Sequence, residues 1–169
     1  MSQVWCVVSE SSVVAETIAD ALVDAGHSVV IPRSDVSPLA MLVNRRHDAV
    51  LPIEILDSDA LSEVVAAIDE SYGEVDVFAM VLDPAVPPHV AAVAKAFAGL
   101  QPQASLVLLT GTLDDDDTQQ ETQRMLNVAL EARVRKAMSH GQAGPRHLSV
   151  VALSDLPAWA AAQTSRDSA

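Results

Sequence analysis

Residues 50–85 read VLPIEILDSDALSEVVAAIDESYGEVDVFAMVLDPA, and the rest of the chain is organised around them. The apolar run at 49–55 predicts a strand. A helix over 57–72 follows, with Asp57 or Ser58 as cap and Leu61, Val64, Val65 and Ile68 recurring at helical spacing, until Gly73 ends it. Residues 75–82 are nearly continuously apolar, the pattern of a central parallel strand buried on both faces. Strand, helix, strand in this space is one right-handed crossover unit.

Working outward, residues 4–8 predict a first strand and 13–25 an amphipathic helix carrying Val14, Ile18, Ala21, Leu22 and Ala25, closed by Gly26. Residues 28–31 predict a second strand. Ser37 and Pro38 open a short helix to about residue 46, as N-cap and first helical residue. Beyond the central strand, Pro84, Pro87 and Pro88 lead into a helix at 89–99, then a strand at 105–109, a long helix at about 118–139 and a strand at 148–153. Six strands alternating with helices predict a Rossmann-like, doubly wound α/β sheet of parallel strands in the order 3-2-1-4-5-6. A length of 169 residues suits a single domain over 1–158, with a flexible tail over 159–169.

Half the residues are apolar but only 3% are aromatic, so the core is expected to be Val, Leu, Ile and Ala. The net charge of −13 argues against nucleic acid and anionic membranes as partners, because both repel an acidic surface. The opening residues lack a basic segment followed by a long apolar one, and no run approaches the roughly 18 apolar residues of a membrane span. A cytoplasmic protein is expected. The single cysteine, Cys6, lies in the first strand and reads as a small buried hydrophobe. Five histidines, His27, His47, His89, His140 and His147, stand at loop-like positions without ligand spacing, so surface histidines and no metal site are expected. The run Asp114–Asp117 lacks the alternating ligands of a calcium loop and reads as a solvated segment favouring the following helix N-terminus.

The order of elements, the stretch 50–85 and the stretch MLNVALEARVRKAMSHGQAGPRHLSVVALSD at 125–155 resemble the short-chain dehydrogenase/reductase family over nearly the whole chain. The resemblance implies a dinucleotide cofactor and a Tyr-x-x-x-Lys pair with a serine, yet this sequence departs from each part. Where the family has its glycine-rich phosphate loop stand Ser9, Glu10, Ser11, Ser12, Val13, Val14 and Ala15, without glycine. Ser11 or Ser12 reads as a plain helix N-cap. The family's Asn-Asn-Ala-Gly at the end of strand four corresponds to Met80, Val81, Leu82 and Asp83, whose side chains are expected to fill the cofactor's space. Glu54 matches the acidic residue that touches adenine, and Arg33 stands where some members hold the extra phosphate of NADP. Gln123 falls at the tyrosine and Asn127 at the lysine, while Thr110, Gly111 and Thr112 fall near the serine. Tyr72, the only tyrosine, reads as a packing residue. The connection between strands four and five is shorter than the family's, and no counterpart of the family's seventh strand and substrate lid is expected after residue 153.

No catalytic, cofactor-binding or metal-binding residue is therefore expected, and no cofactor. The helix 89–99 is apolar almost all round, with Lys95 its one charge, and the long helix carries a seam of Leu126, Ala129, Leu130, Val134 and Ala137 beside further apolar residues. In the family these two helices join subunits. The expectation is a catalytically inactive subunit acting through a protein interface that includes Val90, Val93, Lys95, Phe97, Met125, Val128, Ala132 and Met138. Its partner would be a second copy, or an active dehydrogenase that it completes or stabilises. Two alternatives stand beside it. One is a small-molecule, nucleotide or acyl-CoA binder using the crevice at the carboxyl ends of strands one and four. The other is an oxidoreductase with relocated catalytic groups.

Overall fold

The computed structural model describes residues 2–54, 66, 68, 70, 73–82, 103–113, 116–138 and 147–166. Its centre is a six-stranded parallel sheet: β1 (Val4–Val8), β2 (Ser28–Arg33), β3 (Val50–Glu54), β4 (Val77–Val81), β5 (Ser105–Thr110) and β6 (Leu148–Ala152). The spatial order is β3-β2-β1-β4-β5-β6, as the sequence predicts. The reversal of direction between β1 and β4 sets a crevice at their carboxyl ends, where open α/β sheets place ligands. Pro52 sits in β3, an edge strand, where a missing N–H costs no ladder bond.

Alternation along each strand divides the core in two. Trp5, Val7, Val29, Ile31, Ala79, Val107 and Leu109 point to one face. There they meet Ile18 and Leu22 of α1 (Ser12–Asp24), Leu42 of α2 (Ala40–Arg46), and Leu156 and Ala160 of α4 (Leu156–Arg166). Cys6, Val30, Phe78, Met80, Leu106 and Leu108 point to the other, with Ile68 and with Leu130 and Val134 of the long helix α3 (Asp117–Met138). Burial on both faces explains why the strands read as unbroken apolar runs. It also pushes the Cys6 thiol up to about 12, which keeps it an unreactive packing group at neutral pH.

The helix ends follow local chemistry. Ser11 is the N-cap of α1, its Oγ accepting from the Val14 N–H at 3.3 Å. At the other end Gly26, at φ +89°, donates to the Val23 carbonyl while His27 donates to that of Leu22. This reciprocal pair closes the helix through a left-handed residue that only glycine adopts without strain. Ser37 is not the cap expected of it. The chain enters α2 through a 3₁₀ turn, Ser37–Leu39, and the carboxylate of Asp35 accepts from the Ser37 N–H at 2.9 Å, which holds Asp35 below the usual carboxylate range.

Two further expectations are corrected. Residues 159–166, expected to be part of a flexible tail, are helical: α4 runs to Arg166, with Leu156 and Ala160 in the core and Trp159 meeting Trp5 edge to face at 5.9 Å, while residues 167–169 lie outside the described residues. His27 is not a surface residue. It is buried, its ring lies 5.6 Å from that of Trp5, and its Nδ1 accepts the Gln3 N–H at 3.3 Å. His47 is exposed beside Asp48, as a loop histidine should be. His89, His140 and Tyr72 lie outside the described residues.

Candidate functional site

The carboxyl edge of the sheet is built first by the turn from β1 to α1. Residues 9–11 connect the two elements. Ser9 is buried, and its hydroxyl closes the turn on itself by accepting from the Ser11 N–H at 3.2 Å and donating to the Ser11 carbonyl at 3.1 Å.

Arg33 completes the closure. The β1–β2 pairing ends at Cys6 and Val30, so the last residues of β2 run free of β1 and bring the guanidinium over the first turn. It donates to the carbonyls of Ser9 at 2.9 Å, Glu10 at 3.0 Å and Asp35 at 3.3 Å. A dinucleotide loop aims backbone N–H groups at phosphate; this turn aims two carbonyl oxygens at a cation of its own. Arg33 thus ties the end of β2 to the turn. Replacing it with alanine strips donors from two turn carbonyls, and is expected to lower stability by about 1–3 kcal/mol in a denaturant titration.

Glu54 is exposed at the end of β3, in register with Arg33. At the end of β4, Met80 and Leu82 do not fill the crevice as expected. Both are buried in the second core cluster, because alternation turns them to that face, while Val81 packs against the first. Asp83 lies outside the described residues.

The third part joins β5 to α3. Thr110, the last residue of β5, donates its hydroxyl to Asn127 Oδ1 at 2.6 Å, and Gln123 Nε2, one turn earlier, donates to the same oxygen at 2.9 Å. Thr110 and Asn127 are 5% and 6% exposed. Gly111 then turns the chain away at φ +79°. Three positions that the resemblance assigns to one catalytic set thus meet at one point, bonded to one another in a way the sequence does not show. An available signal was Asn127 itself, a poor helix former in mid-helix on the inward stripe, where a buried amide requires a partner.

No family model and no curated protein matches the chain. Solved structures do. A short-chain dehydrogenase from Streptomyces avermitilis is similar at 17% identity and a TM-score of 0.57, over 98% of this chain and 83% of that one. A metagenomic short-chain oxidoreductase in complex with NADP is similar at 16% identity and 0.55, over 95% and 90%. A 3-ketoacyl-(acyl-carrier-protein) reductase from Brucella melitensis, complexed with NADH, is similar at 14% and 0.51, over 94% and 89%. The fold is that of the short-chain dehydrogenases.

On that fold the resemblance gives residues 110–112, 123 and 127 to the serine, tyrosine and lysine of the catalytic set. Here the places are held by a hydroxyl and two amides bonded to one another. None of these side chains titrates near neutral pH, so none supplies a proton to a carbonyl or a positive charge to lower a neighbour's pKa. What the cluster does is mechanical: it fixes α3 to the end of β5.

Other contacts fix the same helix. Asp116 and Gln119 cap it reciprocally, the Gln119 N–H donating to Asp116 Oδ1 at 2.8 Å and the Asp116 N–H to Gln119 Oε1 at 3.2 Å. Arg124 donates to both oxygens of Asp155, at 2.9 and 3.0 Å, and this hydrogen bonding holds the Asp155 carboxyl below its ordinary value. A carboxyl with a lowered folded-state pKa contributes stability that is full above about pH 4 and is lost as the pH falls through the lowered value. Asp155→Asn is accordingly expected to flatten the acid limb of a pH–stability profile. Arg135 donates to the Leu148 carbonyl at 2.8 Å.

These ties set the rotation of α3 and correct the expected seam. Its inward side is Gln123, Asn127, Leu130 and Val134; Leu126 and Ala129, expected in the core-facing seam, are exposed. Met125 and Val128 are 71% and 72% exposed, and Ala132 is exposed with them. Met138 ends the helix, but its side chain lies outside the described residues, as do Val90, Val93, Lys95 and Phe97. Among the described residues no helix is long and apolar enough to cross a membrane.

Proposed function

We propose that this chain is a catalytically inactive protein of short-chain dehydrogenase fold that acts by association, using the outward face of α3 and the 89–99 segment as its docking surface. The observation that carries the reading is the two-sidedness of α3. Its inward face sets neutral, mutually bonded amides where the resemblance implies an acid and a lysine. Its outward face spends Met125, Val128, Ala129 and Ala132 on solvent, a poor use of apolar surface in a protein that never covers it.

Two of the similar structures hold NADP or NADH. Against a dinucleotide here stand the glycine-free three-residue turn and the commitment of Arg33 to that turn's carbonyls. The partner is either a second copy or an active dehydrogenase subunit whose assembly this chain completes. Both use the same face, so Val128→Glu separates association from folding: the substituted position is exposed, and the fold tolerates it. Size-exclusion chromatography with light scattering, and co-purification from the native cell, are expected to show an assembly larger than one chain that Val128→Glu dissolves. A monomer that captures no partner, with or without the substitution, contradicts the proposal.

A further inference from the structure

The partner can be narrowed, on the reading that the chain acts by association. We infer that the outer edge of β6, with the side of α3 that overhangs it, takes an extended segment of a different, positively charged protein as an added strand.

The two edges of the sheet differ. Along a parallel strand every second residue turns its N–H and C=O away from the neighbouring strand. Ala49 accepts from Val29, which puts Val50, Pro52 and Glu54 on the open side of β3. Proline at the middle of that edge removes a donor and Glu54 adds a charge, two devices that keep other strands off. His147 accepts from Leu106, which puts Leu148, Val150 and Ala152 on the open side of β6. Leu148 gives its carbonyl to Arg135, while among the described residues neither backbone group of Val150 has a partner. The strand LSVVA has no proline and no charge to blunt it.

The helix above supplies a wall. Leu130 and Val134 of α3 share a core with Leu148 and Val150, so α3 lies over the last strand and one of its sides overhangs the lane beyond, about 4.8 Å away. At about 100° per residue, Arg124, Val128, Glu131 and Arg135 fall on one side of the helix, roughly a quarter turn from inward-facing Asn127 and Leu130. Arg135 reaches the outward Leu148 carbonyl and Arg124 reaches Asp155 just past β6, which identifies that side as the one over the edge. Val128 stands between them, 72% exposed. A strand in this lane pairs with Val150 and covers Val128 together.

Chemistry chooses the occupant. Outward N–H and C=O groups recurring every second residue, about 6.6 Å apart, match an extended backbone. A second copy suits the edge poorly: a two-fold through Val150 draws on the Leu148 carbonyl of each chain, already held by Arg135, and sets two chains of −13 side by side. Beside the edge the charges cancel in pairs, Arg124 with Asp155 and Arg135 with Glu131. The field that steers a partner is therefore that of the whole chain, and it favours a basic one.

The probe is a set of peptides of about eight residues, a strand's length, selected from a random display library on the full chain. Enriched peptides are expected to alternate apolar and polar residues and to carry Lys or Arg at their ends. Val150→Pro deletes the outward N–H, as Pro52 does on the opposite edge, and is expected to weaken the selected peptides about tenfold. On the unaltered chain, N-methylating every second peptide amide is expected to abolish binding in one phase and to leave it within about twofold in the other, since only alternate amides face β6. No enrichment, peptides indifferent to Val150→Pro, or equal sensitivity to both phases of methylation overturns the added strand. The native assembly separates this from association itself. Loss of the assembly in Val128→Glu but not in Val150→Pro overturns strand addition and leaves association through α3 standing, and an assembly of this chain alone overturns the basic partner. Indifference to both substitutions removes both readings.

Discussion

Replacing Trp5 with alanine is expected to cost about 3–5 kcal/mol of stability, the range for removing a large aromatic from a packed core. In a chain of this size that lowers the melting temperature by roughly 10 °C. Trp5 is fully buried and is where the first strand, the His27 turn and α4 converge, with Trp159 edge-on at 5.9 Å and the His27 ring at 5.6 Å. Calorimetry on Trp5→Ala and Trp159→Ala checks the ranking. The second should cost less, because Trp159 is only partly buried. A loss under about 1 kcal/mol for Trp5→Ala would mean that α4 does not close this side of the sheet.

The second large effect is expected at Asn127. Asn127→Leu keeps the size of the side chain but removes the one oxygen that accepts from both Thr110 and Gln123. It leaves the buried Thr110 hydroxyl without its acceptor, a cost of about 1–3 kcal/mol. Thr110→Val in the same chain removes the stranded hydroxyl, so the double variant is expected to be more stable than Asn127→Leu alone. That non-additivity identifies the pair as one unit, and chemical denaturation of the four proteins measures it. Simple additivity would assign the loss to helix packing alone.

How legible these features were in the sequence follows from the kind of force involved. The sheet order and strand positions were readable because double-sided burial writes long apolar runs such as 75–82, and because parallel strands need helices between them. Ser11 as cap and Gly26 as stop are local signals, complete within a few residues. The rotation of α3 was not readable. Leu126 and Leu130 have equal claims on a hydrophobic seam, and the choice falls to Asn127, whose partner Thr110 is 17 positions away. The role of Arg33 is not legible, since nothing in the sequence says that two carbonyls of the first turn face it. The helix at 156–166 was missed because its alanines and polar residues look like a tail until Trp5 supplies a surface for Trp159.

The departures from the short-chain dehydrogenase pattern form one physical picture. At the turn where the resemblance implies a phosphate, Arg33 bonds to two carbonyls, and on the helix where it implies the acid and the lysine, neutral groups bond to one another. Both arrangements add hydrogen bonds along the carboxyl edge of the sheet. The bonds to Thr110 turn Asn127 inward, and Met125, Val128 and Ala132 then face outward.

The most direct test of whether this fold has given up dinucleotide chemistry is a titration of the purified chain with NADH and NADPH up to millimolar concentration, followed by nicotinamide fluorescence. The account predicts a linear, unsaturated signal identical to that of free cofactor for both. Saturable enhancement with either one, at a stoichiometry near one per chain, would contradict it.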